Sequence, residues 1–209
     1  MDNNKETKLQ EMIKRIQTTH ARDSLTDWER GFTDSLIGQL NKSRNLSDRQ
    51  VEVFERIEHK HSPQAKERAR VWTSEYDEEK REKVRIAAEY YDATGDYYRG
   101  IVNQVLNEPE FTLSEKQYRM MVENKYMAKV FTAIESEPKY PVGSFVDVRN
   151  TCGDYRVKHA LSGQPAIVLS TNETVVSAAK GAKRYKVLPI GSSKPIYAEE
   201  RWLKKVKKS

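Results

Sequence analysis

The stretch YPVGSFVDVRN (140–150), continuing through KHALSGQPAIVLS (158–170) to RYKVLPIGSSKPIYAEERWLKKVKK (184–208), decides how this chain is read. Residues 145–149, 166–170, 185–190 and 196–198, and then Trp202 and Leu203, have the β-branched and aromatic composition of strands. Turn formers separate them: Pro141 and Gly143; Ser162, Gly163 and Pro165; Lys180 and Gly181; Gly191, Ser192, Ser193 and Pro195. Strands this short do not bury two faces in an open sheet, so the spacing predicts a small antiparallel β-barrel over residues 139–209.

The same stretch holds the charge. The chain has 209 residues and a formal net charge of +6. Residues 139–209 carry 14 Lys and Arg against 5 Asp and Glu, a net of +9; residues 1–138 keep 23 basic and 26 acidic residues, a net of −3. Only the last third is therefore a natural ligand for polyanions, and the rest has the mixed charge of solvated helices.

Upstream, the apolar spacing is helical. Leu9, Met12, Ile13 and Ile16 outline a weak amphipathic helix, and Asp27, Trp28, Phe32, Leu36 and Leu40 form one face of a stronger one capped by Thr26 or Asp27. Ser47 with Gln50 is a capping-box signature before Val51, Phe54 and Ile57, and Ser114 with Gln117 repeats it before one helix spanning Tyr118 to Phe131. This recurrence suggests two related helix hairpins within 1–138. Pro63 and Asp77 start two helices between them, and Trp72, Tyr76, Tyr90, Tyr91, Tyr97 and Tyr98 are expected to pack as core rather than to stack bases. The expected class is α+β: a helical N-terminal domain, then the barrel.

Several features of the last third resemble SH3-like barrels of the KOW and Tudor type. PVGSFVDVR enters a strand behind Pro-x-Gly, KHALSGQPAIVL passes a basic glycine turn into an apolar strand, and ERWLKK closes on an aromatic residue and a cationic tail. Pro165 stands where that pattern prefers a second glycine. The resemblance implies a recognition module for nucleic acid or protein. The helical phrases WERGFTDSLIGQL, LSDRQ and YRMMVENKYMAKV look like segments of tailed-phage proteins, which implies a phage origin.

Catalytic and metal patterns are sparse. His59 and His61 stand two apart, with no second ligand pair at metal spacing; His20 stands alone; and Cys152 has only His159 near it in sequence. Glu199 and Glu200, like Glu78 and Glu79, read as solvated charge pairs, and no glycine turn matches a phosphate loop. The lone cysteine and the absence of an apolar membrane run or signal-peptide core lead to the expectation of a cytoplasmic protein. The sequence thus predicts a binding protein without catalysis, cofactor or metal. The expected ligand is nucleic acid, duplex DNA before RNA, held by its backbone. The expected contacts are Arg149, Arg156, Lys158, His159, Lys180, Lys183, Arg184, Lys186, Lys204, Lys205, Lys207 and Lys208. The second expectation is an adapter that docks on a polymerase, ribosome or other host machine, with a protein partner on the helical domain.

Overall fold

The computed structural model describes residues 3–42, 44–95 and 97–206. The chain divides into two compact units, Met1–Glu75 and Tyr76–Ser209.

The first unit is helical: α1 (Asn3–His20), α2 (Asp27–Asn41), α3 (Asp48–Lys60) and α4 (Pro63–Ser74). Ile16, Leu36, Leu40 and Phe54 form its buried centre, with Leu9, Met12, Ile13 and Phe32 packed against them. Thr26, not Asp27, caps α2, in a reciprocal box with Glu29, and Ser47 and Gln50 form the expected box on α3. Trp28 lies outside the expected apolar face: it is exposed and stacks on Phe32 at 5.4 Å. Helix α4 opens at Ser62 with Pro63 in its first turn, yet buries none of its residues, so Trp72 is only half-buried rather than core.

A buried polar knot ties α2 to the end of α3. Glu29 accepts from Lys60 Nζ (2.8 Å), from the Thr26 amide (2.9 Å) and hydroxyl (3.0 Å), and from His61 Nε2 (3.0 Å). With Nε2 carrying its proton toward the carboxylate, a neutral His61 accepts at Nδ1 from the Ser24 hydroxyl at 3.0 Å. His61 is therefore a buried partner, not the surface residue its spacing from His59 suggests. Burial by itself raises the Glu29 carboxyl, but hydrogen bonds from Lys60, Thr26 and His61 outweigh it and hold the group at about 2. Glu29→Ala is expected to cost about 2 kcal/mol at neutral pH, because it strands the buried His61 imidazole, while the exposed Lys60 ammonium returns to water. Since the folded carboxyl titrates below the ordinary 4.5, this stabilisation is complete above that value and is lost as pH falls toward about 2. Denaturant melts of both proteins should therefore converge through that window, and a difference independent of pH would contradict the assignment.

The second unit begins with α5 (Glu78–Thr94), α6 (Arg99–Asn107), α7 (Glu115–Met121) and α8 (Lys125–Glu135). Asp77 caps α5, and Ser114 with Gln117 forms the second expected capping box. The single helix expected from Tyr118 to Phe131 is two. Asn124 turns its Oδ1 onto the amides of Tyr126 and Met127 and so caps α8, which fits the preference of asparagine for that position over a helix interior.

Five strands follow: β1 (Phe145–Val148), β2 (Ala166–Glu173), β3 (Arg184–Pro189), β4 (Ile196–Glu199) and β5 (Leu203–Lys205). They form one antiparallel sheet in the order β4-β3-β2-β1-β5. A 3-10 turn, Glu200–Trp202, carries the chain from one edge strand to the other. β4 and β5 do not pair, so the sheet is open where the sequence suggests a closed barrel. Tyr140, Val146, Val157, Leu161, Val168, Tyr185, Val187 and Leu203 fill its covered face. Two of these come from α9 (Tyr155–Ala160) and the residue after it, an element the turn-like sequence conceals. Asp154 caps it, and Val157 and Leu161 are one helical turn apart. Gly181 adopts φ +74°, which favours glycine in the turn before β3, and a Cβ there would lie 3.1 Å from the Cβ of Arg201, which would have to give way by a few tenths of an ångström. Among the described residues, no helix is long and apolar enough to cross a membrane.

Candidate nucleic-acid interface

The pleat sorts the basic residues. Along β3, Tyr185 and Val187 point into the core, while Arg184, Lys186 and Leu188 occupy the outer face. Lys186 lies opposite Tyr197 on β4, and the Arg184 guanidinium sits 4.6 Å from the centre of the Tyr197 ring. Leu188, Ile167 and Phe145 continue the outer face across β3, β2 and β1. Beyond them Asp147 faces Lys204 on β5, with an ion pair of 3.2 Å. Phe145, 53 % exposed, lies on β1 between the cations of β3 and β5, and Tyr197, 44 % exposed, lies beside Arg184 on the edge strand β4.

Two hollows flank the β1–β5 edge. One, of ≈ 400 Å³, gathers Arg149, Lys158 and Lys204 around Asn150 and Gly163. Arg149 Nε donates to the Leu203 carbonyl at 2.6 Å, which fixes the guanidinium and leaves its terminal nitrogens for an outside acceptor. The other, of ≈ 840 Å³, brings Arg156 together with Tyr155, Arg201 and Trp202. Arg201 was not singled out by the sequence; it is bound to Glu199 at 2.6 Å and lies 5.2 Å from the Trp202 ring. His159 is exposed beside Tyr155, and Lys180 and Lys205 are exposed as well. Among the described residues, Arg156, Lys158, Lys180, Lys186 and Lys205 make no ion pair. Lys207 and Lys208 lie outside the described residues.

Lys183 does not join this surface. It is 5 % exposed, and its ammonium donates to the carbonyls of Ile134 (2.8 Å) and Ala133 (3.3 Å) at the end of α8. The lysine thus serves two helix-terminal acceptors that lack intrahelical donors. The alternation that turns Tyr185 and Val187 inward also turns Lys183 inward, so grouping it with Arg184 and Lys186 by sequence proximity crosses the pleat.

The acidic pair after β4 is likewise internal. Glu200 accepts from the Lys139 amide (3.0 Å), the Lys139 ammonium (2.9 Å) and the Tyr185 hydroxyl (2.7 Å). Burial opposes its ionisation, but those donors prevail and lower its pKa; the Tyr185 phenol is pushed up, first by burial and then by donating to this carboxylate. For Glu199 burial wins over Arg201, and its pKa is raised. Neither is the solvated charge expected. Cys152 is buried with Sγ on the Asp154 carbonyl at 3.4 Å, while His159 turns to Tyr155, so the two do not pair. Among the described residues no group of three His, Cys, Asp or Glu side chains is placed to hold a metal ion. No protein-family model, curated protein or solved structure matches this chain.

Proposed function

We propose that the chain binds nucleic acid through the outer face and β1–β5 edge of its C-terminal sheet, with duplex DNA as the preferred ligand and backbone phosphates as the main contacts. The observation that carries this reading is a set of cations without ion pairs among the described residues, the exposed Arg156, Lys158 and Lys205 and the half-buried Lys186, beside the half-free guanidinium of Arg149. Such side chains release counterions when phosphate replaces water. Lys186 on β3 and Lys204 on β5 are three strand positions apart, about 14 Å at ordinary strand spacing. That span suits the two phosphate ridges beside a major groove about 12 Å wide. Contacts of this kind position a protein without reading bases. In this reading the open sheet is a variant of the SH3-like, KOW-type barrels the sequence resembles, and it acts in the cytoplasm by binding rather than catalysis.

The test is fluorescence anisotropy of the full chain on two unrelated labelled duplexes and one single strand at low salt. Binding to both duplexes with similar affinity is expected. No binding to either would favour the second reading, an adapter, which the apolar row of exposed Phe145 and half-buried Ile167 and Leu188 supports.

A further inference from the structure

The polar knot of the helical unit also sets a nucleophile, a base and an orienting acid in series. Ser24 lies on the turn between α1 and α2, and its hydroxyl donates to His61 Nδ1 at 3.0 Å. Behind it, His61 Nε2 meets Glu29 Oε2 at 3.0 Å. Of the three, only Ser24 is exposed; the His61 and Glu29 side chains are each 7 % accessible. A substrate can therefore reach the hydroxyl, while water is kept from the groups that activate it. All three belong to the unit Met1–Glu75.

Each link has the chemistry its place requires. An imidazole is a base at the nitrogen that lacks a proton, and the carboxylate at Nε2 keeps the proton there, so Nδ1 is left to receive from Ser24. Glu29 is fixed in turn: its Oε2 also takes the Thr26 amide and hydroxyl, and its Oε1 takes Lys60 Nζ at 2.8 Å. These donors hold it ionised at neutral pH, where it stabilises a cationic imidazole. The backbone of His61 is anchored as well, its amide donating to the Ile57 carbonyl at 3.0 Å. Folding alone does not call for this serine, because at an exposed turn water supplies the donor that Nδ1 needs. Donors for a developing oxyanion follow within four residues. The amides of Asp27 and Trp28 open α2 and have no acceptor among the described residues, since the Thr26 hydroxyl caps the amide of Glu29.

We propose that Ser24 is a nucleophile toward carboxylic esters, with His61 as its general base and Glu29 as the residue that positions and stabilises the imidazole. Ser24 Oγ attacks the ester carbonyl carbon as its proton passes to His61 Nδ1. The bond from that carbon to the alcohol oxygen then breaks, and the leaving oxygen takes the proton from Nδ1, which leaves an acyl group on Ser24. Water completes the cycle: it gives one proton to Nδ1, its oxygen joins the acyl carbon, and Oγ departs with the proton, releasing a carboxylic acid. Nε2 keeps its proton throughout. Esters rather than amides are the substrate class, since an alkoxide leaves with less assistance than an amide nitrogen. This activity belongs to the helical unit and does not depend on the nucleic-acid reading.

The test incubates the full chain with p-nitrophenyl acetate and, separately, with a biotinylated fluorophosphonate whose adduct is located by peptide mass spectrometry. Ser24 should carry the fluorophosphonate, and nitrophenol should be released about a hundredfold faster than by the Ser24→Ala variant. That variant changes one exposed side chain, so its circular dichroism and duplex binding should not move. Glu29→Gln, at a temperature where its circular dichroism matches that of the unaltered chain, should take the fluorophosphonate about a hundredfold more slowly. A chain that takes no fluorophosphonate at Ser24, or a folded Ser24→Ala variant that releases nitrophenol at the unaltered rate, would overturn the proposal. So would labelling of folded Glu29→Gln at an unchanged rate, which would leave the three residues a structural tie only.

Discussion

Tyr185→Ala is expected to unfold or nearly unfold the C-terminal sheet, losing about 3–5 kcal/mol as large buried aromatics do. The ring is fully buried at the centre of the sheet's core and packs 6.0 Å from Tyr140. Its hydroxyl holds Glu200, the carboxylate that also grips Lys139 just before the sheet begins. Truncation therefore opens a cavity and weakens the link between the 3-10 turn and the start of the sheet. Domain stabilities are about 5–15 kcal/mol, so the loss is a third or more of the total. Tyr185→Phe separates the two contributions: it keeps the packing, and Lys139 still satisfies Glu200, so about 1 kcal/mol is expected. Urea unfolding followed by circular dichroism measures both. Equal losses in the two variants would mean that the hydroxyl, not the ring, carries the stability.

The second large effect is on binding. Neutralising Arg149, Lys158, Lys186 and Lys204 together to glutamine should weaken duplex binding about a thousandfold at physiological salt, the yield of four phosphate contacts at that ionic strength. The effect should be alike on unrelated duplexes. Lys183→Met is the counterpart. Its ammonium is committed to the end of α8, so the variant should lose stability and, while folded, retain its affinity. A folded Lys183→Met protein with affinity as low as the quadruple variant would return that lysine to the interface.

What was legible in the sequence was local. The two capping boxes, the Pro63 and Asp77 helix starts and the five strand positions each depend on residues within a few places of one another, and all are present. Features that depend on what lies across a packed surface were not. Nothing beside Lys183 in sequence announces the carbonyls of Ala133 and Ile134, and nothing beside Glu200 announces Lys139 or Tyr185. His61 reads as a chance surface histidine until Glu29 and Ser24 are brought to it. The strands begin at Phe145, within the stretch 139–209 given to the barrel, but the compact unit containing the sheet starts at Tyr76 and includes α5 to α8. The tyrosine cluster reads as core because composition cannot tell which ring faces are covered; Tyr91 is buried, but Tyr97 is 74 % exposed.

The most direct measurement of the central claim is the salt dependence of duplex binding. Six outward cations, Arg149, Arg156, Lys158, Lys186, Lys204 and Lys205, each meeting one phosphate, predict a slope of log affinity against log salt of about −5. The quadruple variant should reduce that slope to about −2, equally on two unrelated duplexes. A slope near zero, or one unchanged in the variant, would contradict backbone binding by this sheet.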